Sequence, residues 1–188
     1  MALRNILRDG DPTLNKKSRP VTDFNSRLHE LIDDMRETLL DADGVGLAAP
    51  QVGVLRRVVL VIDTNKEDLP PEEQIIELIN PEIVAESGEQ IGPEGCLSVP
   101  GLYGIVKRPD LVKVRAQDRF GKEFEVWGKM LTARAFCHEI DHLNGILFTS
   151  LADELLTPEQ LEEMRAQDEA EEEVYKGGSA EGDSGEGA

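Results

Sequence analysis

The sequence predicts an α+β domain: mostly antiparallel strands around a central metal-binding helix, with one helix before them and one after. Three observations lead there. Between residues 57 and 127, short apolar or alternating runs are separated by turn residues, which is a strand pattern. Around residues 24–40 the apolar residues instead recur at helical spacing. Finally, two of the chain's three histidines fall in His138-Glu139-Ile140-Asp141-His142. Positions i and i+4 of a helix lie one turn apart on one face, so that pair can grip one ion from one side.

The elements follow in chain order. Residues 1–21 hold Pro12 and Pro20 among polar residues and read as an irregular arm packed on the body. Thr22 or Asp23 can cap a helix carrying Phe24, Leu28, Leu31, Ile32, Met35, Leu39 and Leu40, which ends near Asp41. The glycines of Asp43-Gly44-Val45-Gly46-Leu47-Ala48-Ala49-Pro50-Gln51-Val52-Gly53 suit either a plain connector or a backbone brought close to a ligand. Residues 57–63 form a buried strand, 64–74 a polar loop, and 75–79 a strand stopped by Asn80-Pro81. Shorter strands are expected at 83–84 and 90–91, and a longer one at 101–106. A hairpin joins 111–116 to 124–127 through a turn at Asp118-Arg119-Phe120-Gly121. The motif helix spans roughly residues 130–144, with Gly145 at its C-terminal end. Thr157 and Pro158 open a last helix.

The 188 residues suffice for one domain with a real core. No apolar run approaches a bilayer span, and residues 1–10 contain no signal-like apolar stretch. A cytoplasmic protein is expected. Two cysteines are too few for a disulfide scaffold. The net charge of −18 argues against a nucleic-acid-binding face. Residues 153–188 carry 13 acidic and 2 basic residues, and the body is only mildly acidic. The expected organisation is a catalytic domain over 1–156, an acidic helix over 157–176 and a disordered acidic Gly/Ser tail over 177–188.

A catalytic metal site usually has three protein ligands and an open position. Beside His138 and His142, Glu139 can serve as general base for a water at that position. His29 lies among Leu28, Leu31 and Ile32 and reads as a helix-surface residue. Two third ligands remain, and they imply different enzymes. Cys96 follows Gly95 between Pro93 and Pro100, and its thiolate suits Zn²⁺ or Fe²⁺. Glu162, on the last helix, would make the chain a zinc peptidase, although its acidic neighbours look like a solvated face. Cys137, turned about 100° around the helix from His138, reads as a small buried apolar residue.

Gly44-Val45-Gly46-Leu47-Ala48-Ala49-Pro50-Gln51, Glu94-Gly95-Cys96-Leu97-Ser98 and His138-Glu139-Ile140-Asp141-His142 resemble, in order and spacing, the three signature motifs of bacterial peptide deformylases. The resemblance covers roughly residues 3–150. It implies a hydrolase that removes the formyl group from N-terminal formyl-methionine of new polypeptides. It makes Cys96 the third ligand with His138 and His142, and Fe²⁺ the ion, with Zn²⁺, Ni²⁺ or Co²⁺ able to replace it. It assigns the oxyanion to the Gln51 side-chain amide and the Leu97 backbone N–H, proton handling to Glu139, and support of the ligands to Glu94. Gly46, with Gly44 beside it, should pair with the substrate backbone. Val45, Leu131, Arg134 and Ala135 should border the methionine pocket. Two residues depart from the family pattern. Many relatives have an apolar residue at Arg134, whose stem would line the pocket while its head reaches water. Some have arginine at Tyr103, a position that would face the following substrate residues. The implied partners are formyl-methionyl peptides and nascent chains, with no nucleic acid and no membrane. The acidic last helix would repel ribosomal RNA rather than bind it.

Overall fold

The computed structural model describes residues 2–178, and over them the chain is a mixed α+β structure. A five-stranded antiparallel sheet has the order β1 (Gly46–Ala48), β2 (Val58–Ile62), β3 (Ile75–Ser87), β6 (Leu111–Gln117) and β7 (Glu123–Lys129). A three-stranded sheet orders β4 (Gln90–Cys96), β5 (Val99–Arg108) and β8 (Glu154–Leu156). Helix α1 (Ser26–Asp41) lies on one side of the large sheet, and helix α3 (Leu131–Leu143) packs on the other. A single-turn α2 (Pro71–Gln74) precedes β3, and α4 (Pro158–Gly178) follows β8.

Strand β2 shows why its sequence is continuously apolar. Val59 and Val61 point into the core that holds Ala133, Phe136, Cys137 and Ile140 of α3. Val58 and Leu60 point the opposite way, against Ile32, Met35 and Leu39 of α1. Successive side chains of a strand alternate in direction, so a strand covered on both faces is apolar at every position. Fully burying a side chain such as Leu60 or Phe136 contributes about 1.5–3 kcal/mol, which is how α1 and α3 are held to the two faces of the sheet.

Two sequence expectations are corrected, and one choice left open is narrowed. The α1 cap is Asn25, not Thr22 or Asp23: its Oδ1 accepts from the backbone N–H groups of Arg27 and Leu28, satisfying two donors that the first turn leaves unpaired. Asn80-Pro81 does not stop β3. Asn80 takes φ +51 and a register shift follows, so the strand absorbs both residues as an irregularity and continues to Ser87. The Gly-rich segment is not merely a connector, because Gly46–Ala48 pair with Val61–Val59 as a buried edge strand.

Helix α3 begins one residue inside its expected start and ends as anticipated. Gly145 takes φ +73, its N–H donates to His142 O, and Ile146 N–H donates to Asp141 O. That pair of bonds is a Schellman closure, which favours glycine at its left-handed position. At α4, Thr157 Oγ1 accepts from Gln160 N–H while Gln160 Oε1 accepts from Thr157 N–H, a reciprocal capping box. Leu161 buries the first turn of this helix. The helix runs to Gly178, so Gly177 and Gly178, expected in the disordered tail, belong to it; from Ser179 onward the expected tail lies outside the described residues.

Candidate active site and metal centre

Helix α3 is the platform of the site. His138 and His142 stand one turn apart with ring centroids separated by 5.0 Å. Cys96, the last residue of β4, enters from the other sheet, and its Sγ is 3.3 Å from His142 Nε2. The register of β4 against β5 shifts between Gly95 and Cys96, which turns the thiol toward the helix. Gly95 is needed beside it, since a Cβ there would sit 2.9 Å from the Tyr103 ring. The ligand atoms of Cys96, His138 and His142 all lie within 4.8 Å of one another. Glu162 is exposed on α4 and does not join this group.

Glu94 fixes the orientation of His138. Its Oε2 lies 2.9 Å from His138 Nδ1, which leaves Nε2 for another partner. Arg108 grips Glu94 with two donors, Nε to Oε1 at 2.7 Å and Nη2 to Oε2 at 3.1 Å, while its Nη1 reaches Asp141 at 2.7 Å. Arg134 adds Nη1 to Glu94 Oε1 at 3.0 Å and to Val106 O at 2.9 Å. The guanidinium of Arg134 therefore does not reach water, contrary to expectation. A buried carboxylate needs paired positive charge, and two arginines meet that need better than one. Burial alone would raise the pKa of Glu94; the bonds from His138 and Arg108 overcome it and hold the value at about 2.

Glu139 is in the opposite situation. It is buried, its Oε2 has no hydrogen-bond partner among the protein atoms, and burial pushes its pKa up to about 7, against the pull of His138. Gly46 makes room for it: a Cβ at that position would lie 2.5 Å from Glu139 Oε1. The Gly-rich strand thus allows a carboxylate to stand against its backbone.

Gln51 occupies the 3₁₀ turn Ala49–Val52 after β1. Its Oε1 accepts from Ala48 N–H at 2.8 Å, which aims Nε2 at Ser98 Oγ (3.2 Å) and Cys96 Sγ (3.5 Å). Leu97 follows Cys96 in the turn between β4 and β5.

The donor set fits a divalent cation. A thiol and two imidazoles converge, one imidazole is oriented by a carboxylate, and an unpartnered carboxylate oxygen stands nearby. Burial opposes a charge on His138, yet bonds from Cys96 and Glu94 and the charge of Glu139 raise its pKa to about 10. The surroundings thus attract positive charge. His142 goes the other way, as burial and the charge on His138 push it down to about 3.

A pocket of about 530 Å³ opens over this centre. Gly44, Val45 and Gly46 form one wall, and Glu94, Cys96, Leu97 and Tyr103 another. Leu131, Arg134, Ala135, His138 and Glu139 supply the α3 side, with Gln51 also lining the space. His142 lies deeper, 1% exposed. The structure thus brings together the residues that the resemblance assigns to the site and leaves Glu162 apart from them. Sequence reasoning gave no role to Arg108, Asp141, Ser98 or Arg8. Asp141 stood in view within the histidine motif; its partner Arg108, more than 30 residues away, carried no local signal.

Comparison with known proteins agrees with this geometry. The family model described as polypeptide deformylase matches residues 3–157. The peptide deformylase of Caldanaerobacter subterraneus subsp. tengcongensis is 56% identical over 162 residues, 86% of this chain and 97% of the relative. That of Alkaliphilus metalliredigens is 59% identical over 149 residues, 79% of this chain and 96% of the relative. Among solved structures, a peptide deformylase from Legionella pneumophila superposes with a TM-score of 0.74 at 42% identity, covering 93% of this chain and 98% of that one. The Thermotoga maritima enzyme gives 0.75 at 36% identity, covering 82% and 100%.

Proposed function

This chain belongs to the polypeptide deformylase family and is a metal-dependent hydrolase that removes the N-formyl group from new polypeptides, and we propose that the pocket over Cys96, His138 and His142 is where it does so. The observation that carries the proposal is the placement of Glu139. It is a buried, unpartnered carboxylate poised near neutrality, on the same helix as two ligand histidines and on the wall of a pocket. The zinc-peptidase alternative needs Glu162 as a ligand, and that residue is exposed elsewhere.

A divalent ion held by Cys96, His138 and His142 supplies, when bound, Lewis acidity toward the formyl oxygen and toward an attacking water. The protein's own groups do the rest. Glu139 takes the proton released as water attacks the formyl carbon and delivers one to the leaving amine. Burial raises the pKa of this carboxyl, which favours its taking up that proton. Gln51 Nε2 and the Leu97 N–H donate to the oxygen as charge develops on it. Glu94, pinned by Arg108 and Arg134, keeps His138 directed at the ion. Gly46 offers backbone to the substrate in strand fashion. Val45, Leu131, Ala135 and the stem of Arg134 accept the methionine side chain. With its head committed to Glu94 and Val106 O, Arg134 presents methylenes rather than charge, which favours an apolar occupant. Tyr103 borders the path of the next residue.

We assign Fe²⁺ as the working ion, as the family resemblance implies, with Zn²⁺, Ni²⁺ or Co²⁺ as competent substitutes, since a thiolate with two imidazoles accommodates all of them. The deciding experiment is formate release from a formyl-Met peptide by anaerobically prepared protein, with metal analysis of the same sample. Turnover that follows iron content supports the assignment. No formate from fully loaded protein, or equal rates whatever the ion, would count against it.

No helix among the described residues is long and apolar enough to cross a membrane. We place the enzyme in the cytoplasm, acting on nascent chains. The residues from 157 to 176 carry an excess of acidic side chains, so we expect no contact with ribosomal RNA through α4. Truncation after Lys176 should leave deformylation of short peptides unchanged. Salt-sensitive co-sedimentation of the intact chain with ribosomes, lost on truncation, would overturn this reading.

A further inference from the structure

Three consecutive residues of the N-terminal arm each hold a backbone carbonyl beside the two oxyanion donors. Leu7 N–H donates to Gln51 O at 2.7 Å, Arg8 Nη1 to Leu97 O at 2.7 Å, and Asp9 N–H to Ser98 O at 2.8 Å. Gln51 follows β1 of the large sheet, whereas Leu97 and Ser98 form a turn of the small sheet. No strand pairing joins those two segments. The arm crosses between them like a strap.

The strap is tied at both ends. Upstream, Ala2 N–H and Arg4 Nε both donate to the buried Asp34, at 2.7 and 3.1 Å, and Arg4 N–H donates to Thr38 Oγ1. Downstream, Asp11 caps the 3₁₀ turn Pro12–Asn15, and Ser18 N–H donates to Leu143 O at the end of α3. The arm is thereby referenced to α1 and to the helix that carries both histidines.

We propose that residues 7–9 are a positioning strap that sets the separation of the Gln51 amide and the Leu97 N–H, with Arg8 as its side-chain member. The proposal rests on those two groups being the oxyanion donors. Such donors act only when they stand about 2.7–3.1 Å from where charge develops. They come from different sheets, so something must fix the distance between them. The Gln51–Ser98 side-chain bond does part of this, and the arm holds both main chains from outside. Arg8 is exposed and forms no ion pair among the described residues, so its guanidinium is free to serve the Leu97 carbonyl. An exposed single bond contributes little to folding. Its loss should appear in catalysis rather than in stability, because a small displacement of a catalytic donor is costly.

The test compares Arg8→Met, Arg8→Lys and Gln51→Ala in full-length enzyme with matched metal content, on a short formyl-Met peptide. Arg8→Met should lower kcat by about fivefold, with KM within about twofold of the parent. Amide exchange across residues 97–99 should quicken in that variant even without substrate. Arg8→Lys, still able to donate to Leu97 O, should recover most of both. Gln51→Ala should slow turnover further than Arg8→Met. A rise in KM at constant kcat would mean that Arg8 binds the peptide, and would overturn the strap. So would unchanged kcat and exchange in Arg8→Met while Gln51→Ala is slow. If Gln51→Ala itself turns over normally, the oxyanion assignment fails and the strap fails with it.

Discussion

Replacing Glu139 with alanine is expected to lower turnover by about 10²–10⁴-fold while metal content and fold stay intact. The side chain touches no ligand atom through a hydrogen bond, and its Oε2 is unpartnered, so its removal breaks no polar contact that holds the centre together. In protein stripped of metal, taking away a buried acid with no hydrogen-bond partner relieves a desolvation cost. The thermal midpoint should therefore hold or rise, which separates a proton-handling group from a structural one. Glu139→Gln makes the comparison stricter, because it preserves shape but cannot accept the proton. Both variants should be equally slow. Near-normal turnover in either one, at metal content equal to the parent, would remove Glu139 from the mechanism.

How far the sequence could be read depended on whether a feature was local. The i, i+4 histidines, the capping residues of α4 and the glycine closing α3 are short-range signals, and each reappears in the structure where the chemistry demands it. Strand β2 was legible because burial on both faces leaves a continuous apolar run. Asn80-Pro81 misled because a proline ordinarily ends a central strand, yet here the irregularity of β3 falls at that point and takes it up. Strand β1 was hidden by its composition: Gly46 is there for the clearance of Glu139, not for strand propensity. The clamp on Glu94 was out of reach for a different reason. Arg108 and Arg134 meet it only because β4, β5 and α3 converge, and no spacing in the chain announces that. The same holds for the arm. Its residues look irregular in sequence because they pair with carbonyls far away rather than with one another.

Replacing Cys96 with alanine is expected to abolish metal retention, whereas Glu162→Ala should retain metal at the parent level. Cys96 supplies the only ligand atom of the centre that comes from the small sheet; the other two lie on α3. Without the thiolate, two imidazoles grip the ion from one side only, and water must complete its shell. The surrounding charge then becomes harmful to the fold rather than useful. Glu94 stays ionised within its arginine clamp, but Glu139 loses the cation that its burial anticipates. Metal binding to the native state alone stabilises in proportion to ligand excess, by about 2.7 kcal/mol at a hundredfold excess over Kd. The parent should thus melt at a higher temperature when loaded than when stripped by a chelator, and Cys96→Ala should melt at one temperature in both conditions. Glu162 projects from the exposed side of α4, so its removal should change neither number. The checks are metal per chain after gel filtration and paired melting curves with and without chelator. Retained metal and a chelator-sensitive midpoint in Cys96→Ala, with both lost in Glu162→Ala, would reverse the ligand assignment and return the chain to the zinc-peptidase reading. Loss of metal in Cys96→Ala alone leaves the thiolate as the third ligand.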